Sequence, residues 1–180
     1  MGIPKEPEAV KLFVALLCNS EELFPTVEWD LTSLFGAVDS ASEILPWKMT
    51  KYYEREMGPD LLRRFLSFRP LISPGELPGI KLAGHGVEAK FRWSEGGKKG
   101  RRVNIDLGYL EASKVVLAST KNASHRAYLF SGVYGEVTLA YQNGSFEPLA
   151  STYPDYRWPE TLSFFSSVRS RYLAQLKGKV

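Results

Sequence analysis

The chain has 180 residues, of which 44% are hydrophobic and 24% are charged, a composition that excludes fibrous and disordered proteins. Its formal net charge of +3 is too small to indicate nucleic acid as a partner by itself. A single cysteine excludes an internal disulfide, and neither a signal-peptide pattern nor an apolar run of membrane-spanning length is present, so we expect a cytoplasmic protein with no membrane partner.

The first hundred residues predict the element order β-α-β-β-α-β. The second helix has the clearest start, because Ser73 is a good N-cap, Pro74 suits the first helical position and Glu76 completes a capping box. The predicted elements are, in chain order, a strand at Val10–Leu17, a helix within Ser20–Phe35, strands at Ala37–Leu45 and Leu61–Phe68, this second helix, and a strand at Arg101–Asp106.

The remaining sequence predicts a series of antiparallel strands and a final helix. Its predicted elements are strands at Lys114–Ser119, His125–Phe130, Tyr134–Tyr141 and Phe146–Leu149, the last two joined by an Asn143-Gly144 turn, and a helix from Pro159 to just before Gly178. The predicted fold is therefore α+β: a ferredoxin-like core extended by an antiparallel β-meander and a C-terminal helix, in a single domain spanning residues 1–180.

For two sets of charged residues earlier in the chain, the sequence predicts which face of a strand or helix they lie on. Arg63 and Arg64 point to opposite faces of one strand, so that one is solvent-facing or paired while the other can face a site. Lys81, His85 and Glu88 share one face of the second helix, and we expect that face to be solvated.

A basic stretch, residues 90–102, contains six Lys or Arg residues and one Glu. Its three glycines are typical of a turn, and a solvated basic loop is the expected structure. A phosphate-rich partner is the alternative.

The candidate site lies between Val103 and Arg157, where polar residues interrupt strand-like sequence. If Ser131-Gly132 closes a hairpin loop of two or four residues, Ala127 faces Glu136 and His125 becomes the diagonal neighbour of Glu136. A three-residue loop would reverse the faces.

In an enzyme, His125 would be a general acid or base and Glu136 would orient it, whereas the alternative is a structural ion pair. The candidate ligand-binding residues are Asn104, Asp106, Lys121, Arg126, Asp155 and Arg157. For Asp106 the alternative is turn chemistry before Gly108, and for Tyr153–Arg157 it is an ordinary loop. No metal is assigned, because the spacing of the acidic residues and His125 does not require one. A metal held by Asp106, His125, Glu136 and Asp155 stays open as an alternative.

Several sequence stretches together resemble one known family. They are Thr50–Gly58, Pro74–Leu77, Ile80–Leu82, Val103–Asp106, Gly108–Leu110, Lys114–Lys121, Ser124–Arg126, Glu136–Leu139 and Thr152–Arg157. On these stretches the chain resembles a bacterial family described as domain of unknown function 4416. The family pattern has proline where Leu107 stands and Thr-Asn near His85, which makes His85 a poor functional candidate. The resemblance implies no activity, cofactor or catalytic residue. Some members carry a GTP-binding label, but this chain has no phosphate-binding P-loop motif to support it.

Three functions remain open from the sequence. The first is a protein that binds a phosphorylated or nucleotide-like ligand, an anionic small molecule, with or without chemistry on it; no cofactor is assigned. The second is a nucleic-acid-binding module that uses the basic stretch. The third is an adaptor for a protein partner, with Trp47, Tyr52 and Tyr53 as an exposed patch.

Overall fold

The computed structural model describes residues 2–47 and 53–178, the Arg55 side chain excepted. The strands are β1 Val10–Cys18, β2 Val38–Ala41, β3 Leu45–Pro46, β4 Leu62–Ile72, β5 Arg92–Glu95, β6 Lys98–Arg101, β7 Val103–Leu110, β8 Lys114–Ser119, β9 Ala127–Phe130, β10 Val133–Gln142 and β11 Ser145–Pro148. The helices are α1 Leu23–Phe35, the single-turn α2 Glu54–Met57, α3 Leu77–Lys90 and α4 Pro159–Leu176. The mixed α+β class and the C-terminal helix are thus confirmed.

One large antiparallel sheet organises the chain. Its strand order is β11-β10-β8-β7-β1-β4-β2, while β3 adds to β4 and β9 adds to β10. Strands β5 and β6 form a separate hairpin. Every pairing is antiparallel, so that neighbouring strands run in opposite directions across the whole sheet.

Strand β1 lies inside this sheet, between β7 and β4, and is buried along its full length. Side chains alternate between the two faces of a strand, and both faces of β1 are covered. Leu12, Val14 and Leu16 pack with α1 and α3 on one face, whereas Phe13 and Ala15 pack with α4 on the other. The uninterrupted apolar run in the sequence is the consequence of these two covered faces.

Helix α3 begins as its sequence predicts. The backbone N–H of Ser73 donates to Glu76 Oε2 over 2.7 Å, and the capping box is complete. The box opens a 3-10 turn at Pro74–Glu76, after which the α-helix starts at Leu77. None of the helices in residues 2–47 and 53–178 combines the length and apolarity needed to cross a bilayer.

The expectation of a solvated face on α3 is wrong for Lys81 and Glu88, both of which are buried. Lys81 Nζ donates to the Ile105 carbonyl over 2.8 Å, and Glu88 Oε1 accepts the Ile105 N–H over 2.6 Å. Strand β7 pairs with β8 only from residue 108 onward, so Ile105 finds no partner there. The two helix side chains replace the missing strand, because buried backbone groups must be paired.

The basic stretch is a hairpin and not a loop. Strands β5 and β6 turn at Gly96 and Gly97, whose φ angles of 55° and 76° suit a two-residue hairpin turn. The predicted strand Arg101–Asp106 begins two residues too early, because Arg101 belongs to β6 and β7 begins at Val103.

The predicted register of the β9–β10 hairpin is wrong by one residue. The Ser131-Gly132 turn forms, and Phe130 pairs with Val133, but a bulge follows and Ala127 pairs with Gly135 instead of Glu136. The extra residue of the bulge lies on β9, which shifts every earlier residue by one position. His125 and Arg126 therefore precede β9 instead of belonging to it.

Candidate functional site

A pocket of about 400 Å³ lies where β7 and β8 separate. These strands pair only through Gly108–Leu110 and Val115–Leu117, and beyond that point they diverge. The pocket is lined by side chains from β4, β7, β8 and β10, from the segment before α4, and from Trp47 and Tyr53. A volume of this size is in the range of small-molecule sites.

Arg63 is the buried centre of one wall, with 4% of its surface exposed. Its Nη2 lies 2.7 Å from Asp155 Oδ2, and its Nη1 lies 3.3 Å from Asp106 Oδ2. Burial alone would lower the pKa of Arg63, but the two carboxylates hold the pKa above its ordinary value. The neighbouring Arg64 points away and pairs with Glu28 over 2.7 Å, as strand alternation predicts.

Asp106 is held in its charged form by its neighbours. Burial on its own would raise the pKa of this carboxyl, but the charges of Arg63 and Lys81 and hydrogen bonds from Asn104 and Arg63 lower the pKa below its usual range. Asn104 Nδ2 donates to Asp106 Oδ2 over 2.9 Å. Asn104 is buried and is not among the residues that line the pocket, so it orients Asp106 instead of contacting a ligand.

A second charged cluster forms around Glu136, whose side chain is 3% exposed. Glu136 Oε2 lies 2.8 Å from Arg126 Nε and 2.7 Å from His125 Nε2. The register shift puts Arg126 next to Glu136, and His125 reaches the same oxygen from the preceding turn. Glu136 and Arg126 line the pocket, whereas His125, with a third of its side chain exposed, contacts Glu136 from outside that lining.

Arg126 connects this cluster to the pocket mouth. Its Nη1 donates to the Lys121 carbonyl over 2.8 Å, and its Nη2 donates to the Tyr153 hydroxyl over 2.7 Å. Lys121 and Tyr153 also line the pocket. Three segments distant in sequence are thereby fixed around one opening.

Arg157, a sequence candidate for binding an anion, has a different position. Its Nε donates to the Thr152 carbonyl over 3.0 Å, and its Nη2 donates to the Leu149 carbonyl over 2.6 Å. It is not among the pocket-lining residues. Arg157 instead holds the loop that carries Asp155 toward Arg63.

The aromatic residues predicted as an exposed patch belong to the pocket wall. Trp47 and Tyr53 are half-buried and meet edge to face, with ring centroids 5.4 Å apart. Tyr52, the third member of the predicted patch, lies outside the described residues. Tyr153 and Tyr156 add two further rings to the wall. Arg63 was missed as a site residue, although its alternation along an apolar strand pointed to it, and Trp47 and Tyr53 were predicted only as part of a protein-partner patch.

Three pocket-lining residues carry buried donor atoms that have no hydrogen-bond partner among the described residues: Trp47 Nε1, Arg63 Nε and the Tyr156 hydroxyl. Burial raises the pKa of Tyr156 well above its ordinary value, so its hydroxyl keeps its proton and can donate. An unsatisfied buried polar group costs about 1–3 kcal/mol. All three atoms are closed off from solvent, so they lie inside the pocket wall and not on its surface.

The acidic side chains of the pocket are committed to cations. Asp106 and Asp155 pair with Arg63, and Glu136 pairs with Arg126 and His125. In the part of the chain that the structure describes, no group of three or more His, Cys, Asp or Glu side chains could hold a metal ion.

Comparison with known proteins gives one match. The model of a family described as domain of unknown function DUF4416 matches residues 8–172 of the chain. No curated protein and no solved structure matches it. The matched range includes every residue that lines the pocket.

Proposed function

The chain belongs to the family described as domain of unknown function DUF4416, and we propose that its function is to bind a phosphorylated or nucleotide-like small molecule in the pocket around Arg63. The observation that carries this proposal is a 400 Å³ pocket whose lining combines aromatic residues with two cations, Lys121 and Arg126. Small-molecule sites combine apolar walls with a few such polar groups.

The wall chemistry supports this class of ligand. Four aromatic residues line the pocket, and three of them, Trp47, Tyr53 and Tyr153, are partly exposed and can pack against a planar ring. Lys121 and Arg126 bring two positive charges to the same pocket, and such groups form strong charge-assisted hydrogen bonds with phosphate oxygens. The combination favours a ligand with both a ring and an anionic group over a purely apolar one.

A catalytic form of the proposal assigns proton transfer to Glu136 and His125. Glu136 lines the pocket, whereas His125 contacts Glu136 without lining it. This geometry favours Glu136 as the group that meets the ligand and His125 as its orienting partner, the reverse of the roles expected from sequence.

A thermal-shift screen tests the binding proposal. The panel comprises nucleoside monophosphates, sugar phosphates, divalent metals and short oligonucleotides, each at two salt concentrations. A ligand at about a hundred times its dissociation constant stabilises the fold by about 2.7 kcal/mol. We expect a salt-tolerant shift from a phosphorylated small molecule, and no shift from any member of the panel would contradict the proposal.

Two matched variants locate the binding. Trp47→Phe keeps an aromatic ring but makes it smaller in the pocket wall, and we expect it to reduce the ligand-induced shift. Trp29→Phe makes the same change at a side chain that is 74% exposed and does not line the pocket, so it should leave the shift intact. Equal shifts in both variants would place the ligand elsewhere.

The nucleic-acid alternative predicts a different result in the same screen. It would use Lys98 and Lys99, which are exposed on the β5–β6 hairpin, whereas Arg101 already pairs with Glu56 and Glu88. Because phosphate contacts release counterions, a shift from oligonucleotides alone that fades with salt would favour this alternative.

A protein-partner role is favoured by one specific feature, the exposed apolar edge strand β9. Tyr128, Leu129 and Phe130 are 60%, 42% and 68% exposed. Large exposed apolar side chains in a cluster are typical of interaction surfaces. Analytical ultracentrifugation of the wild type and of Phe130→Ser would test whether this strand mediates association.

We also propose that the sheet contains a ferredoxin-like core. Within the sheet, the order β7-β1-β4-β2 with α1 and α3 on one face supports a ferredoxin-like core. We further propose that the chain forms a single domain and that the protein is cytoplasmic.

A further inference from the structure

We propose that the side chain of Tyr153 is a gate at the mouth of the pocket, and that its hydrogen bond to Arg126 is the latch that keeps the gate closed. The gate limits the rate at which a small molecule enters and leaves, whereas the wall residues determine how tightly it binds. Its biological role rests on the proposed function, but its opening can be measured without a ligand.

The exposed lining residues mark the mouth of the pocket. Lys121, Tyr153 and Pro154 are exposed, and the other lining residues that the structure describes are half-buried or buried. Lys121 lies in the loop after β8, whereas Tyr153 and Pro154 lie in the segment before α4. These two segments therefore border the opening through which a molecule reaches the buried wall.

Arg126 joins these two segments at the mouth. Its Nη2 donates to the Tyr153 hydroxyl over 2.7 Å, and its Nη1 donates to the Lys121 carbonyl over 2.8 Å. The guanidinium is itself fixed from below, because its Nε donates to the buried Glu136 carboxylate over 2.8 Å. The latch thus has a fixed half, Arg126, to which the Tyr153 ring is attached by its tip.

The backbone beside Tyr153 is held on both sides, whereas its side chain is not. The Thr152 hydroxyl donates to the Thr138 carbonyl, and the Asp155 carboxylate pairs with Arg63 over 2.7 Å. Tyr153 between them is 46% exposed. Exposed side chains change rotamer within picoseconds to nanoseconds. Once the latch breaks, the ring can therefore turn away from the mouth while the chain stays in place.

The strength of the latch sets how often the gate opens. A hydrogen bond with a charged donor is stronger than one between neutral groups, and Arg126 is always charged. Water competes for the exposed Tyr153 hydroxyl, which weakens the latch. We therefore expect the latch to lower the open population by about tenfold, compared with the same ring without its hydroxyl.

A cysteine in the pocket lining measures this opening directly. Ser119 lines the pocket and is half-buried, so Ser119→Cys places a thiol of similar size there. The native thiol of Cys18 does not compete, because it is buried and burial raises its pKa to about 12. The labelling rate of Ser119→Cys therefore reports how fast a reagent passes the mouth. The two reagents are iodoacetamide, which is small, and pyrene maleimide, which is bulky.

Tyr153→Phe keeps the ring and removes the latch. In the Ser119→Cys protein, this change should raise the labelling rate about tenfold with pyrene maleimide, and less with iodoacetamide, which needs a narrower opening. Tyr128→Phe makes the same change at an exposed ring that does not line the pocket, and both rates should stay the same. Labelling of Cys18, followed by peptide mass spectrometry, should remain slow in every variant.

The outcomes separate the gate from the proposed function. Equal labelling rates with and without the Tyr153 hydroxyl would overturn the gate and leave the binding function standing. Labelling of Cys18 that accelerates to the same extent would assign the effect to unfolding and would also overturn the gate. If the rates change as expected while no compound in the thermal-shift screen binds, the gate opens as proposed but its role in ligand entry fails with the binding function.

Discussion

Arg63 Nη2 and Asp155 Oδ2 lie 2.7 Å apart, and both side chains are nearly excluded from solvent. This ion pair joins β4, which lies next to β1 in the sheet, to the turn that leads into α4. The same arginine also contacts Asp106 on β7, so three segments of the pocket depend on one guanidinium.

The first prediction concerns the stability that this arginine supplies. Arg63→Met leaves two carboxylates in the site without their cation, and breaking a buried ion pair in this way costs about 3–5 kcal/mol. Arg64→Met removes the adjacent arginine, whose pair with Glu28 is partly exposed, and should cost less than about 1 kcal/mol. Urea denaturation of both variants measures the difference; equal small losses would contradict the central place of Arg63.

The second prediction concerns acid stability. The pKa of Asp106 is lowered in the folded protein, so this group stabilises the fold at pH values above the unfolded pKa of about 3.9. That contribution is lost as the pH falls through the lower folded pKa. The free energy of unfolding of the wild type should therefore fall more steeply below about pH 4 than that of Asp106→Asn. Parallel curves for the two proteins over this range would refute the argument.

The third prediction concerns the single cysteine, Cys18, which ends the buried strand β1. Burial raises the pKa of its thiol to about 12, so almost no thiolate is present at neutral pH. Because the thiolate is the reactive form, thiol-specific reagents should label the native protein very slowly and the urea-unfolded protein rapidly. Fast labelling of the native protein would show that β1 is more accessible than its burial indicates.

The fourth prediction compares two glycines of α3. A Cβ at Gly84 would lie 2.4 Å from Leu107 Cδ1 on β7, whereas a Cβ at Gly86 meets nothing within 4 Å. Gly86→Ala should stabilise the protein by up to about 1 kcal/mol through helix propensity. Gly84→Ala should be less stable than Gly86→Ala by about 1–3 kcal/mol, because overpacking forces Leu107 to move. Thermal unfolding with a shared reference measures both, and equal stabilities would show that α3 does not pack closely on β7.

The sequence predicted β1 and α3 well because their signals are local, whereas the single strand predicted at Ala37–Leu45 is two short strands, β2 and β3. The apolar run of β1 and the capping box before α3 depend on neighbouring residues alone, and both are confirmed. The β9–β10 register depended on a bulge that no local signal marks, and it was predicted wrongly. His125 and Glu136 nevertheless meet, because after a shift of one residue the His125 side chain still reaches Glu136 from the turn before β9.

The pocket itself was harder to predict, since it assembles from distant segments. The sequence did identify five residues that line it: Asp106, Lys121, Arg126, Glu136 and Asp155. It did not identify Arg63, which pairs with Asp106 and Asp155 from β4, about 40 and 90 residues earlier in the chain. The burial of Lys81 and Glu88 was missed for a similar reason. These two side chains are buried because β7 and β8 separate before Ile105, and the periodicity of a helix gives no information about how strands pair.

The most direct test of the central claim is an NMR titration that follows the tryptophan indole N–H signals, assigned through single Trp→Phe variants. If a nucleotide-like ligand enters the pocket, the signal of Trp47 should shift to a saturating end point, because the ligand then lies next to its ring. The signals of Trp29 and Trp93, which do not line the pocket, should stay in place. A Trp47 signal that remains unchanged at saturating ligand, or a shift of Trp93 on the basic hairpin instead, would contradict the account.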